Sequence, residues 1–362
     1  MARIITVTSG KGGVGKTNLS VNLALYLAEQ GSRTCLFDAD MGLANTDIIL
    51  GIYPDLTLED VMLEKIPVRD ILVKDYMGID IVPGSSGLER MANPRPEELD
   101  YLTKALSELE GYDFLLIDTS AGISRNVVSF CMASSEIIMV VTPEPTSLTD
   151  AYSLLKILAL NGLKGSVMVA VNQCRNLEVS SLVYSKFKAA VEKYLPVKIS
   201  PLGTILMDDH VQEAVKKQKP FISLFPDSNA AKGIKNMGRH LLKRDKSEFN
   251  DFSVNSFWTR FLKLFMDPLQ LGIPRKAKEE PGRENVIAAR TNESVAKPER
   301  AGVISRPADQ ALKAAEKPKR SGESEVNDIP LILERLTQGI SNISTELSAI
   351  REILENNYRA MP

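Results

Sequence analysis

Residues 10–17 have the residue types and spacing of a phosphate-binding loop. They read Gly-Lys-Gly-Gly-Val-Gly-Lys-Thr, match the pattern GxxxxGK[ST], and lie between an apolar run and a helical pattern. Glycines let consecutive backbone N–H groups surround phosphate oxygens, and the positive end of the following helix faces the same charge. We expect Lys16 to neutralise the β- and γ-phosphates of a nucleotide and Thr17 to ligate Mg²⁺. The alternative is a glycine-rich turn that opens a Rossmann-type unit.

A second lysine, Lys11, distinguishes this loop from the general pattern. A loop that already contains Lys16 has little need of another cation beside the same phosphates. The nucleotide of a partner subunit would give Lys11 a ligand, so the sequence favours a dimer. The alternative is a loop lysine that contacts only solvent.

Two apolar runs end in carboxylates. Asp118 follows Phe-Leu-Leu-Ile, the arrangement that places an acid beside a nucleotide-bound Mg²⁺. Asp38 and Asp40 follow Leu36 and Phe37, and alternate residues of an extended backbone point to the same side. Phosphoryl transfer needs an oriented water more than a strong base, and a pair of acids can supply that orientation. Such a pair is also often only a solvated strand end.

Short apolar runs alternate with helical patterns as far as about residue 240. This alternation predicts an α/β fold with a doubly wound, mostly parallel sheet of the P-loop NTPase type, with the ligand beyond the carboxyl ends of the strands. The predicted strands are residues 4–8, 34–38, 79–83, 114–118, 137–142 and 167–172.

The loop KGGVGKT, the Asp38-Ala39-Asp40 pair and residues 118–122 together resemble the deviant Walker A family of MinD and ParA, of the SIMIBI class. This resemblance implies an ATP sandwich dimer in which Lys11 reaches the phosphates of the other subunit. It also implies that Asp40 activates the attacking water, that Asp38 positions metal-bound waters, and that Asn172 hydrogen-bonds the adenine edge.

The predicted site therefore has three overlapping groups of residues and two cofactors, ATP and Mg²⁺. The nucleotide-binding group is Gly10, Lys11, Gly12, Gly13, Val14, Gly15, Lys16, Thr17, Asn18 and Asn172. The catalytic group is Lys11, Lys16, Asp38 and Asp40. The metal-binding group is Thr17, Asp38 and Asp118.

Four further segments, residues 38–45, 83–87, 127–130 and 144–152, are similar to the FlhG/FleN branch of that family. The similarity implies regulation of flagellar number and placement, through an FlhF-like GTPase or a flagellar transcription regulator. Two alternatives remain open: a MinD-type division-site or ParA-type positioning ATPase, and a nucleotide-gated protein that sequesters a transcription regulator. We expect no direct contact with nucleic acid, because no basic patch with base-stacking residues stands out.

Residues 257–266, Phe-Trp-Thr-Arg-Phe-Leu-Lys-Leu-Phe-Met, have helical amphipathicity, with Arg260 and Lys263 opposite the apolar arc. Aromatic residues facing cations across a helix suit insertion into an anionic membrane surface, and a dimer would bind through two copies. The predicted membrane residues are Phe257, Trp258, Phe261, Leu262 and Phe265. The alternative is a helix whose apolar face packs on the ATPase domain.

The 362 residues, with a net charge of −2 and 44% hydrophobic residues, are ordinary for a globular protein, so the totals indicate no polyanionic partner. Three scattered cysteines and the lack of a signal-like N-terminus predict a cytoplasmic protein, peripheral at the inner face of the cell membrane.

Changes in composition predict four regions along the chain. They are an ATPase domain at 1–245, the amphipathic helix at 246–268, a disordered linker at 269–328 and a heptad helix at 329–358. The heptad helix would form a short coiled coil or dock alone on the ATPase domain.

Overall fold

The computed structural model describes residues 2–40, 45–84, 96–244 and 253–266. Several predicted features lie outside the described residues and stay predictions. They are residues 41–44 after the acidic pair, residues 85–87 of one family-like segment, residues 246–252 and 267–268 at the two ends of the predicted amphipathic region, the linker at 269–328 and the heptad helix at 329–358.

An eight-stranded sheet organises the described residues, and it confirms the predicted doubly wound, mostly parallel α/β fold. The spatial order is β3-β4-β2-β5-β1-β6-β7-β8, and only β3 pairs antiparallel, with β4. The strands are β1 Arg3–Ser9, β2 Thr34–Ala39, β3 Val73–Tyr76, β4 Ile79–Val82, β5 Phe114–Ala121, β6 Glu136–Val141, β7 Ser166–Cys174 and β8 Ile199–Leu206. Because the chain winds outward in both directions from β1, a crevice for ligands forms at the carboxyl end of that strand.

Twelve α-helices are described, together with a 3-10 turn at Glu108–Gly111. They are α1 Lys16–Glu29, α2 Asn45–Leu50, α3 Leu58–Leu63, α4 Val68–Ile71, α5 Pro96–Ser107, α6 Arg125–Ala133, α7 Pro145–Leu160, α8 Leu177–Tyr194, α9 Asp209–Lys216, α10 Phe221–Leu224, α11 Asn229–Lys243 and α12 Val254–Met266. Among the described residues, none of these helices has the length and apolar character needed to cross a bilayer.

Helices cover both faces of the sheet, so its strands are apolar on both sides. On one face, α1 and α9 to α11 pack against Ile5, Val7 and Leu36. On the other face, α3 to α6 and α12 pack against Ile4 and Phe37, while α6 to α8 cover β6 and β7. This double burial explains why the central strands are recognisable in the sequence as short continuous apolar runs.

Two strands, β3 and β8, were not predicted. The short β3 forms a hairpin with β4 in which Met77 and Gly78 both have positive φ, 51° and 90°. The edge strand β8 contains Pro201 and Gly203 and is only partly buried. A Cβ at Gly203 would lie 2.7 Å from Met237 of α11, so this glycine permits a close helix–strand contact. Proline and glycine weaken a strand signal, and packing overrides it here.

The helix α12 forms as predicted, but protein covers its apolar face in this structure. Phe261 stacks on Phe130 of α6 with ring centroids 3.9 Å apart, and Trp258 lies 5.0 Å from the ring of Phe37. Both Trp258 and Phe261 are 1% exposed. The arrangement corresponds to the core-packing alternative, so contact with a membrane requires that α12 first leave this position.

This packing predicts a large loss of stability when Phe261 is truncated. The Phe261→Ala variant should lose about 3–5 kcal/mol of unfolding free energy, because a buried aromatic ring and its packing are removed. Lys263→Ala, on the exposed side of the same helix, is the matched control and should change stability by less than about 0.5 kcal/mol. Urea denaturation followed by circular dichroism measures both. Equal, small effects would mean that α12 is undocked in solution.

Candidate nucleotide site

The loop at residues 10–15 occupies the carboxyl end of β1 and leads directly into α1. Gly15 is the N-cap of α1 with φ +90°, and Gly13 also has a positive φ, +76°. A Cβ at Gly10 would lie 2.1 Å from the carbonyl carbon of Asp150 in α7, so only glycine fits there. Asn18 lies in the first turn of α1. The predicted loop residues therefore form one continuous backbone feature at the end of a helix.

Lys16 begins α1 and is only 8% exposed. Burial lowers the pKa of its ammonium group, while the nearby charges of Asp118 and Asp40 oppose that effect. A desolvated cation at the N-terminus of a helix is a strong site for an anion, because little water competes with the incoming charge.

Asp38 and Asp118 are neighbours across the pairing of β2 with β5. Burial and the negative charge of Asp118 raise the pKa of Asp38 to about 7, and burial raises the pKa of Asp118 to about 6. Asp38 Oδ1 accepts a hydrogen bond from the Asp40 N–H at 3.0 Å, and Asp118 Oδ1 accepts one from Ser20 Oγ at 2.9 Å. The second oxygen of each carboxylate, Oδ2, is buried without a hydrogen-bond partner.

These unpaired oxygens fit the hard oxygen ligands that Mg²⁺ prefers. The hydroxyl of Thr17 lies close enough to Asp118 to lower the pKa of that carboxyl group. In the described part of the chain, no group of three or more His, Cys, Asp or Glu side chains is arranged to hold a metal alone. A Mg²⁺ ion bound here would therefore depend on nucleotide phosphates and water for its remaining ligands, as is usual for this ion.

Asp40 joins the same cluster. Its charge lies near enough to Lys16 and Asp118 to act on the pKa of both groups. The structure thus brings the acidic pair at the end of β2 together with Asp118 of β5 and with the phosphate loop. The water-activating role of Asp40 itself stays a prediction.

The segment after Asp118 is hydrogen-bonded to the end of β1. Thr119 Oγ1 donates a hydrogen bond to Val7 O at 3.0 Å, and Gly122 N donates to Ser9 O at 2.9 Å. Gly122 has φ +99°, a conformation that favours glycine. Residues 118–122 therefore meet the end of β1, from which the phosphate loop departs, and a change in the loop would reach them directly.

Lys11 is held by its own subunit in this structure. Its Nζ donates to Thr146 Oγ1 at 2.8 Å and to Glu144 Oε1, and Thr146 Oγ1 also bonds to that carboxylate at 2.9 Å. The hydrogen bond from Lys11 holds the pKa of Glu144 below its usual range. Lys11 and Glu144 are 33% and 54% exposed, so the pair can exchange its partners at the surface. Any contact of Lys11 with another subunit requires that this pair open.

Asn172 lies at the end of β7, where the sequence predicts a contact with the adenine edge. In this structure its side-chain Nδ2 donates to Val14 O of the phosphate loop at 2.8 Å. The adenine contact stays a prediction, and the loop contact is an additional feature that the sequence did not indicate.

Three contributors to the site were missed by the sequence reasoning: Ser20, Thr146 and Gln173. Ser20 lies one helical turn after Lys16, so the i, i+4 spacing could have revealed it. Thr146 lies two residues after Glu144, inside the segment 144–152 that resembles the FlhG/FleN branch. Gln173, whose Nε2 donates to Gly13 O at 3.2 Å, has no local signal because its contact is 160 residues away in the sequence.

The raised pKa of Asp38 predicts how stability depends on pH without nucleotide and Mg²⁺. The folded state keeps a proton, up to about pH 7, that the unfolded chain loses near pH 3.8, so stability falls as pH rises between these values. Asp38→Asn removes this penalty and keeps an acceptor for the Asp40 N–H. Its melting temperature should exceed that of the unmodified protein by at least about 2 °C at pH 8 and by less at pH 5, measured calorimetrically in EDTA. The same gain at both pH values would contradict the assignment.

Comparison with known proteins identifies the family. A family model described as ParA, NUBPL iron-transfer P-loop NTPase, matches residues 1–242. The antiactivator FleN of Pseudomonas aeruginosa is 41% identical over 234 residues, which are 64% of this chain and 84% of FleN. The flagellum site-determining protein YlxH of Helicobacter pylori is 30% identical over 266 residues, 72% of this chain and 90% of YlxH.

A solved structure agrees with this assignment. The septum site-determining protein MinD of Pyrococcus horikoshii, complexed with Mg-ADP, superposes with a TM-score of 0.54 and 28% identity over 68% of this chain and 99% of MinD. The chain therefore belongs to the ParA family of P-loop NTPases, as a MinD-like member that binds and hydrolyses ATP.

Proposed function

We propose that this ATPase is a switch that dimerises with MgATP, binds the inner membrane surface as a dimer and controls flagellar number and placement. The observation that carries the proposal is the position of Lys11. This cation belongs to the phosphate loop, yet its ammonium group is held by Glu144 and Thr146 at the surface. A triphosphate presented by a second subunit is a more highly charged ligand than one carboxylate, so it can displace Glu144.

The charges of the pocket residues indicate the role of each residue in binding and hydrolysis. Lys16 and the N–H groups of the loop bind the β- and γ-phosphates, and Asp118, Asp38 and Thr17 hold Mg²⁺ directly or through water. Bound there, Mg²⁺ would supply positive charge that offsets the negative charge developing on the phosphate oxygens. Asp40 orients the attacking water. Because Lys11 completes the pocket only from a second subunit, hydrolysis depends on dimerisation and remains slow in the monomer.

Two contacts support a link between the nucleotide site and release of α12. Phe37, which packs on Trp258, immediately precedes Asp38. Arg125 begins α6 just after the segment at 118–122, and its Nη1 donates to Phe265 O at the end of α12 at 3.2 Å. A shift of either acidic segment when ATP binds would disturb the docking of α12.

The docked state of α12 also leaves one polar group unsatisfied. The indole Nε1 of Trp258 is buried without a hydrogen-bond partner. A buried unpaired donor costs about 1–3 kcal/mol, and this cost reduces the free energy needed to undock α12. At a membrane surface an indole N–H can hydrogen-bond to headgroups and water while the ring stays among apolar acyl chains. This preference favours the membrane as the second location of α12.

The similarity to YlxH, a flagellum site-determining protein, supports the flagellar part of the proposal, and the similarity to FleN, an antiactivator, supports a regulatory role. The partner we propose is an FlhF-like GTPase or a flagellar transcription regulator, reached from the cytoplasmic face of the membrane. The likeness to MinD supports a second candidate, a role in placing the division site.

Two variants test the proposed function in the organism of origin, with flagella counted by electron microscopy. Lys16→Ala, which loses the phosphate-binding cation, should abolish control of flagellar number. Asp40→Ala, which binds ATP without hydrolysing it, should restrict flagella excessively, because the dimer persists. Normal counts with both variants would show that the nucleotide cycle has no part in this regulation, and altered septum positions with normal flagella would favour the division role.

Membrane binding has a separate test with vesicles of anionic phospholipid. MgATP should increase sedimentation of the unmodified protein with the vesicles, and Phe261→Glu should abolish that increase because it places a charge in the apolar arc. Lys263→Ala keeps the arc and should reduce sedimentation only partly. Nucleotide affinity, measured in parallel, should be the same for all three proteins. Unchanged sedimentation of Phe261→Glu would contradict insertion by this helix.

A further inference from the structure

Residues at the end of β7 contact carbonyl groups of the phosphate loop, and this contact suggests that Asn172 has a role beyond base recognition. We propose that Asn172 is a positioning residue that fixes the backbone of the phosphate loop, so that it supports binding of the polyphosphate whatever base is attached. The inference rests on the proposed function, in that the loop is taken as the site of the triphosphate.

The side-chain amide of Asn172 is buried and makes two hydrogen bonds. Only 8% of this residue is exposed. Its Nδ2 donates to Val14 O at 2.8 Å, and its Oδ1 accepts from the Gln173 N–H at 2.8 Å. The neighbouring Gln173 has φ +57°, a backbone conformation that few side chains favour, and its Nε2 donates to Gly13 O at 3.2 Å. Two consecutive residues of β7 therefore hold two consecutive carbonyl groups of the loop.

Holding these carbonyls also fixes the amides that could bind phosphate. The described chain contains no cis peptide bond, so each carbonyl points away from the N–H of the following residue. When Asn172 holds Val14 O, the Gly15 N–H must point away from β7, and Gln173 has the same effect on the Val14 N–H. Loop amides that point in one direction form an anion-binding concavity. Asn172 thus orders donors that would otherwise sample other directions without ligand.

The contact between Asn172 and the phosphate loop is closely packed. A Cβ at Gly15 would lie 2.4 Å from Asn172 Nδ2, so the amide sits directly against the loop backbone. An asparagine amide carries two N–H donors, and the bond to Val14 O uses only one. The second donor remains for a base edge, so the two roles are compatible in structure and separable by experiment.

The test compares ligands with and without a base. Affinities of MgATP, MgGTP and magnesium tripolyphosphate are measured by competition with a fluorescent N-methylanthraniloyl ATP, for the unmodified protein, Asn172→Ala and Asn172→Leu. Both variants remove the bond to Val14 O, and leucine keeps the side-chain size. We expect the affinity for magnesium tripolyphosphate to fall about 2- to 10-fold, as for one buried hydrogen bond, and the affinities for MgATP and MgGTP to fall by at least the same factor.

A second readout examines the loop without any ligand. Amide hydrogen exchange of a peptide that covers residues 10–17 should become faster in both variants, while exchange in α11 should stay the same. Asn236→Ala, at an exposed position of α11, is the control and should alter neither exchange in the loop nor nucleotide affinity.

Three outcomes would overturn the proposal. Loss of MgATP affinity with unchanged tripolyphosphate affinity would assign Asn172 to the base alone. Unchanged affinities for every ligand would remove both roles, and unchanged loop exchange would show that the amide does not order the loop. Each of these results leaves the proposed function intact, whereas failure of the unmodified protein to bind MgATP would contradict that function itself.

Discussion

Buried charge at the carboxyl edge of the sheet is the constraint on which this structure depends. The fold places Asp38 and Asp118 on adjacent strands with one oxygen of each carboxylate unpaired, and it buries Lys16 beside them. Such groups are costly to bury without partners, so binding of an ion and a polyanion beside them is favourable. A stable apolar scaffold, covered on both faces by helices, keeps these groups in position despite that cost.

The two lysines of the loop have different environments, and the difference matches their proposed roles. Lys16 is buried and faces the carboxylates of its own subunit. Lys11 lies at the surface in an ion pair with Glu144, and exposed ion pairs contribute little to stability. A weak internal partner keeps Lys11 ordered without holding it permanently. Release of Lys11 from Glu144, and of α12 from α6, would then be two consequences of the same nucleotide-driven rearrangement.

Features set by local sequence were predictable, and features set by distant contacts were not. The phosphate loop and the acids at the carboxyl ends of β2 and β5 follow from short patterns, and the parallel sheet follows from the alternation of apolar runs. By contrast, the contact between Asn172 and Val14 joins positions 158 residues apart. The sequence showed that α12 has an apolar face, but the periodicity of the apolar residues does not reveal whether lipid or protein, here Phe130, covers that face. β8 was hidden because Pro201 and Gly203 interrupt its apolar pattern.

The central claim, that Lys11 of one subunit completes the ATP site of another, has a direct test in solution. Multi-angle light scattering of the Asp40→Ala protein saturated with MgATP should give about twice the monomer mass of 39.8 kDa. The double variant Lys11→Ala, Asp40→Ala should bind MgATP and keep the monomer mass. If the Asp40→Ala protein stays monomeric with MgATP bound, or if it dimerises equally well without Lys11, then this lysine does not link ATP to self-association.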